Sequence, residues 1–143
     1  MAAALARGTG PREAPLSYKE RVRLFPRPRS AVASDAAAIV LFAVVGLLSH
    51  DGSVSGAGLA RDALPLLGGW FAAALLVGLY ARGTPLRLAA SWLAGITAGV
   101  ALRAAILGHT DVGKEAAFLA VALAFTLLFG VGGRLVTASV RPR

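Results

Sequence analysis

The sequence predicts an all-α fold: an integral membrane bundle of four transmembrane helices arranged as two antiparallel hairpins. Three observations carry that expectation. Four apolar runs are each about long enough to cross the roughly 30 Å hydrocarbon core of a bilayer at about 1.5 Å of rise per residue. The chain is 57% hydrophobic and 15% charged, with mean hydropathy +0.70, against about 25% charged in ordinary soluble domains. The charges also gather in the tails and in short loops, so most of them flank the apolar runs, with Asp35 and Arg103 inside.

Residues 1–30 form a basic tail with Arg7, Arg12, Lys19, Arg21, Arg23, Arg27 and Arg29 and only Glu13 and Glu20 as acids. Its prolines, at Pro11, Pro15, Pro26 and Pro28, predict a disordered cytoplasmic segment. Bulky apolar and basic residues alternate from Leu16 to Phe25, a pattern suited to anionic lipid headgroups. The membrane domain follows over 31–137, and 138–143 make a short basic cytoplasmic tail.

The first span is expected over 31–48, with Asp35 near its start and Ser49, His50, Asp51 and Gly52 after its end. At about 100° per residue, Asp35, Phe42, Gly46 and His50 fall within an arc of roughly 80° and share one face. An aspartate this early is also what the positive end of a helix favours. The second span, 63–80, follows Arg61 and Asp62, places Pro65 in its first turn, where the missing N–H costs least, and carries Gly68, Gly69 and Trp70. Tyr80 and Arg82 mark the interface, and 81–85 is long enough only for a tight turn.

The third span, 86–107, places Ser91, Gly95, Gly99 and Arg103 at every fourth position. That stripe lets another helix approach closely and turns Arg103, the charge deep in the span, toward the same partner. His109, Thr110, Asp111 and Gly113 make the next loop, and the fourth span, 116–136, ends on Gly130, Gly132, Gly133 and Arg134. Gly46, Gly69, Trp70, Ser91, Gly95 and Gly99 are the expected packing positions. The polar stretches after the first and third spans resemble one another, which an internal duplication would produce and ordinary helix-ending chemistry would produce as well.

The basic residues cluster on one side, in the N-terminal tail, at Arg82 and Arg87, and at Arg134, Arg141 and Arg143. Both termini are therefore expected in the cytoplasm, the protein lying in the cytoplasmic membrane with its histidine loops outside. The net charge of +8 orients the chain and does not mark a nucleic-acid face. With no cysteine, disulfides, thiolate metal sites and cysteine nucleophiles are all excluded.

The polar positions that could be functional or structural are Asp35, His50, Asp62, Arg103, His109, Asp111 and Arg134. A charge inside a span usually faces a bundle interior or a water-filled cavity. Arg103 therefore reads either as a structural cation paired with Asp62, Asp111 or a helix-end carbonyl, or as a contact for an anion. Asp35 and Arg134 lie near the same ends of their spans, where pairing would close the bundle. His50 and His109 lack metal-motif spacing, and no phosphate loop, dinucleotide turn or nucleophile elbow occurs. No catalytic residue, metal or cofactor is assigned.

The order of these residues is similar to one known pattern: Asp35 opening the first span, Phe42, Gly46 and His50 along it, Gly69 and Trp70 in the second, Leu102 and Arg103 in the third, and Arg134 ending the fourth. The chain resembles the prokaryotic membrane family called domain of unknown function 3054 over about Asp35 to Val136. Members of that family often carry basic residues where this chain has Leu47 and Leu48. The resemblance implies a four-helix membrane protein and brings no activity with it. The function expected is therefore non-enzymatic, exerted through helix packing or interaction with another membrane protein or a second copy. The alternative is a small homo-oligomeric transporter or channel in which Arg103 and the outer histidines line a polar cavity.

Overall fold

A computed structural model of the chain describes residues 28–109 and 111–139; nearly all of the basic tail, with its expected lipid-surface segment, lies outside the described residues. Four helices follow one another: α1 (Pro28–His50), α2 (Gly56–Val77), α3 (Pro85–Leu107) and α4 (Val112–Ser139). Each is long and apolar enough to cross a membrane.

Capping chemistry sets the helix ends, so several differ from the apolar limits. α2 begins at Gly56 and not near Ala63, because Ser55 adopts extended backbone and its hydroxyl accepts the Gly58 N–H at 3.0 Å, satisfying an otherwise orphaned donor. Pro65 consequently sits inside the helix and not in its first turn. α2 stops at Val77 and not at Tyr80, because Gly78 takes the left-handed conformation with φ of 70° and closes the last turn onto the Ala74 and Leu75 carbonyls. Thr84 caps α3 by accepting from the Arg87 N–H, with Pro85 in the first turn. Asp111 does the same for α4, accepting from the Lys114 N–H at 3.1 Å.

The helices pack in a ring in which each touches its sequence neighbours and α4 closes onto α1. The most extensive contact is between α2 and α3, the pair joined by the tight turn, and not within the two hairpins expected from the loops. A Cβ built on Gly69 would fall on the Gly95 carbonyl and lie 2.5 Å from the Gly99 nitrogen. One on Gly95 would lie 2.8 Å from the Trp70 Cα, and one on Gly99 2.7 Å from the Leu66 Cα. The two backbones therefore meet where no side chain fits. Ser91, on the same stripe, is fully buried.

Around this contact Ile39 and Phe42 from α1, Leu66 and Trp70 from α2, Ile96 and Val100 from α3 and Ala122 from α4 make one buried cluster. Phe42 reaches α4 through Phe118 and Phe125, at ring-centroid distances of 5.8 and 6.1 Å. Trp92 ties α3 to α4 by donating to the Thr126 hydroxyl at 3.2 Å. Leu75, Leu76, Leu86 and Leu128 are exposed on the outside, as a surface in contact with lipid requires. Among the expected packing positions Gly46 differs: nothing lies within 4 Å of a Cβ built there.

Replacing Gly99 with leucine is expected to destabilise the protein by more than the about 1–3 kcal/mol usual for overpacking, since backbone must move. Gly68→Ala, where an added Cβ meets nothing within 4 Å, is the matched control. Thermal unfolding in detergent should separate the two, and equal melting temperatures would rule out the close contact.

Candidate functional site

The polar side chains assemble into two clusters at opposite ends of the bundle. At the end that holds the helix termini and the α2–α3 turn, the Arg134 guanidinium grips the Asp35 carboxylate with both forks: Nε donates to Oδ1 at 3.1 Å and Nη2 to Oδ2 at 2.7 Å. Both side chains are 2% exposed. The Tyr80 hydroxyl adds a third donor to Asp35 at 2.9 Å and itself accepts from the Trp70 indole N–H at 3.0 Å. Burial pushes the Tyr80 phenol above its ordinary pKa, so it keeps the proton it donates. The network links α1, α2, the α2–α3 turn and α4, and it is closed. Nearby, Arg87 donates to the Val77 and Gly78 carbonyls at 2.8 and 3.2 Å, neutralising the negative end of α2.

The other end is open. A cavity of about 560 Å³ lies where α1 and α3 end and α2 and α4 begin, and its lining includes His50, Asp62, Arg103, His109, Asp111 and Glu115. Two of the sequence candidates meet directly there, the Arg103 Nε donating to Asp62 Oδ1 at 2.9 Å. Arg103 also lies over the Phe118 ring, 4.5 Å from its centroid, so a carboxylate and an aromatic face both hold its plane. Its Nη1 is 3.9 Å from Glu115 Oε1, too far for a hydrogen bond. Glu115 Oε1 instead meets His109 Nδ1 at 2.8 Å, and its Oε2 is buried with no partner among the described residues. Arg61 sits between Asp62 and Asp51 at 3.4 and 3.9 Å, and Lys114 pairs with Asp111 at 3.4 Å.

The wall contributed by α1 is apolar up to its last residue, His50. Phe42, Ala43 and Leu47 face the cavity, and Gly46 leaves it room. The seven polar candidates thus divide: Asp35 and Arg134 form the closed cluster, while His50, Asp62, Arg103, His109 and Asp111 line the open one. Tyr80 and Glu115 are among the participants that were not candidates from sequence. Tyr80 looked like an interface anchor because it follows an apolar run. Glu115 looked like a first-turn acid, although its spacing of three residues from Phe118 was a legible sign that both face one way. Among the described residues no group of three or more metal-ligating side chains is brought together.

Fold and site together define a membrane protein: an all-α bundle of four helices, each able to span a bilayer, with a buried ion pair towards one end and a polar cavity at the other. The family model described as protein of unknown function, DUF3054, matches residues 32–137. The chain belongs to that family. No curated protein and no solved structure matches it.

Neutralising one partner of the closed cluster leaves the other charge buried, a loss of about 3–5 kcal/mol. Asp35→Asn should therefore lower the melting temperature sharply, and adding Arg134→Leu should return more than half of the loss. Simple additivity of the two would show that the pair is not coupled. Tyr80→Phe, which strands the Trp70 donor, should cost about 1–3 kcal/mol.

Proposed function

We propose that the protein is a non-enzymatic, multi-pass carrier of the cytoplasmic membrane, in a state open to the outside, whose cavity receives a small polar solute. The observation that carries this reading is the Arg103 guanidinium. It is oriented by Asp62 and Phe118, yet its Nη groups have no hydrogen-bond partner among the described residues and face a cavity of about 560 Å³. A side chain that is 12% exposed, with its donors aimed into open space, is arranged as binding sites are.

The cavity is blind. Ile39, Leu66, Ile96 and Val100 of the buried cluster lie one or two turns deeper than its lining residues, and the buried Asp35–Arg134 pair ties α1 to α4 towards the far end, beside a separate apolar cavity of about 240 Å³. Passage of a solute therefore needs a rearrangement of the helices against one another. The basic residues Arg29, Arg82, Arg87 and Arg134 at the far end support a cytoplasmic position for it. A second reading, that the chain acts by assembling with a second copy or another membrane protein, is favoured by α4, whose apolar window is 11% buried within the chain against 28–39% for the other helices.

Cysteine substitution separates these readings, because the chain has no cysteine of its own. Gly46→Cys places a thiol in the cavity without a clash. It should react with a membrane-impermeant thiol reagent applied outside intact cells, as should Val54→Cys in the loop, whereas buried Val100→Cys should not. Protection of Gly46→Cys while Val54→Cys reacts would refute an outward-open cavity and favour the assembly reading.

A further inference from the structure

The cavity holds two unsatisfied functions of opposite sign side by side. Among the described residues the Nη groups of Arg103 have no hydrogen-bonded acceptor, and the Glu115 carboxylate is engaged only through Oε1, by His109. Arg103 and Glu115 approach to 3.9 Å. The other charges are largely spent on one another: Arg61 on Asp51 and Asp62, Lys114 on Asp111, and the Arg103 Nε edge on Asp62. A simple anion docking on Arg103 would meet the Glu115 carboxylate, and a simple cation docking on Glu115 would meet the guanidinium. A ligand whose own opposite charges are adjacent meets neither objection. The α1 wall adds a third requirement, since the buried side chains of Phe42, Ala43 and Leu47 border the cavity above His50 and Gly46 leaves space beside them.

Taking the outward-open carrier reading as its basis, we propose that the cavity binds a small α-amino acid with an apolar side chain, its carboxylate on the Nη edge of Arg103 and its ammonium on Glu115. The two charged groups share one carbon, which matches the closeness of their counter-charges. The planar guanidinium suits a carboxylate in two-point contact. Glu115 Oε2 is buried, so the ammonium docks on Oε1, the oxygen that lies 3.9 Å from Arg103 Nη1. His109, 2.8 Å from the same Oε1, fixes the orientation of the carboxylate. The apolar side chain then lies along Phe42 and Leu47 in the room left by Gly46.

Binding of radiolabelled leucine to the full chain in lipid nanodiscs is the test. Saturable binding is expected, with isocaproate, which lacks the ammonium, and isoamylamine, which lacks the carboxylate, each competing about tenfold less well, as the loss of one charge-assisted hydrogen bond implies. Glu115→Gln should weaken leucine about tenfold while leaving isocaproate unharmed. Gly46→Leu, whose side chain enters the apolar half of the cavity, should abolish leucine binding at an unchanged melting temperature. Isocaproate or isoamylamine competing as well as leucine would overturn the zwitterion and leave a plain anion or cation site. Absence of saturable leucine binding in a protein whose Gly46→Cys variant is labelled from outside would overturn the ligand class while the open cavity stands.

Discussion

Between apolar helices surrounded by lipid tails the hydrophobic effect supplies no net attraction, so association falls to close packing and to paired polar groups. In this protein the close packing is concentrated at one place, where Gly69 of α2 meets Gly95 and Gly99 of α3 backbone to backbone. That contact fixes the rotation of both helices. With α3 turned so that its small residues face α2, Arg103, on the same stripe, has to point at α2 as well, and Asp62 is there to receive it. With α2 turned so that Gly69 faces α3, Trp70 enters the core and its indole N–H meets Tyr80. Both polar clusters descend from one steric fact.

The clusters share a logic. In each, an aspartate early in one helix pairs with an arginine late in its antiparallel neighbour: Asp35 of α1 with Arg134 of α4, and Asp62 of α2 with Arg103 of α3. None of the four residues lies in the first or last turn of its helix, so the helix dipole adds little, and it is pairing that removes the cost of a lone charge away from water. The two clamps sit at opposite ends of the bundle. They differ in completeness, which is where structure passes into function. Asp35 accepts from both Arg134 forks and from Tyr80 and is 2% exposed; Arg103 is held by one nitrogen and a ring face, with the rest of the guanidinium unspent.

A guanidinium whose Nη groups have no hydrogen-bond partner among the described residues, beside a carboxylate engaged through one oxygen only, is costly to maintain unless something completes it. The buried clamp towards the far end makes the asymmetry directional. Adjacent unsatisfied charges of opposite sign favour a ligand that carries both charges itself. Asp111 and the histidines play lesser parts: Asp111 caps α4, and His109 steadies Glu115.

Local chemistry was legible in the sequence. Apolar runs bounded by basic residues announced four membrane-crossing helices, and a four-residue repeat announced that Ser91, Gly95, Gly99 and Arg103 share one face, because helical periodicity relates residues only a turn or two apart. The common face of Asp35, Phe42, Gly46 and His50 was legible on the same ground. Which charge meets which was decided only by tertiary structure, since the partners lie 41 and 99 residues apart and their meeting depends on which helices are neighbours and how each is rotated. The same holds for Gly46. A glycine on an inward helical face reads as a contact, and only the placement of α2, α3 and α4 shows that it borders empty space. Tyr80 became part of the sealed cluster because Gly78 ended α2 early and turned the chain back toward Asp35, and Glu115 entered the cavity because Asp111 began α4 early. Periodicity reports which residues look the same way; the packing of the ring decides what they look at.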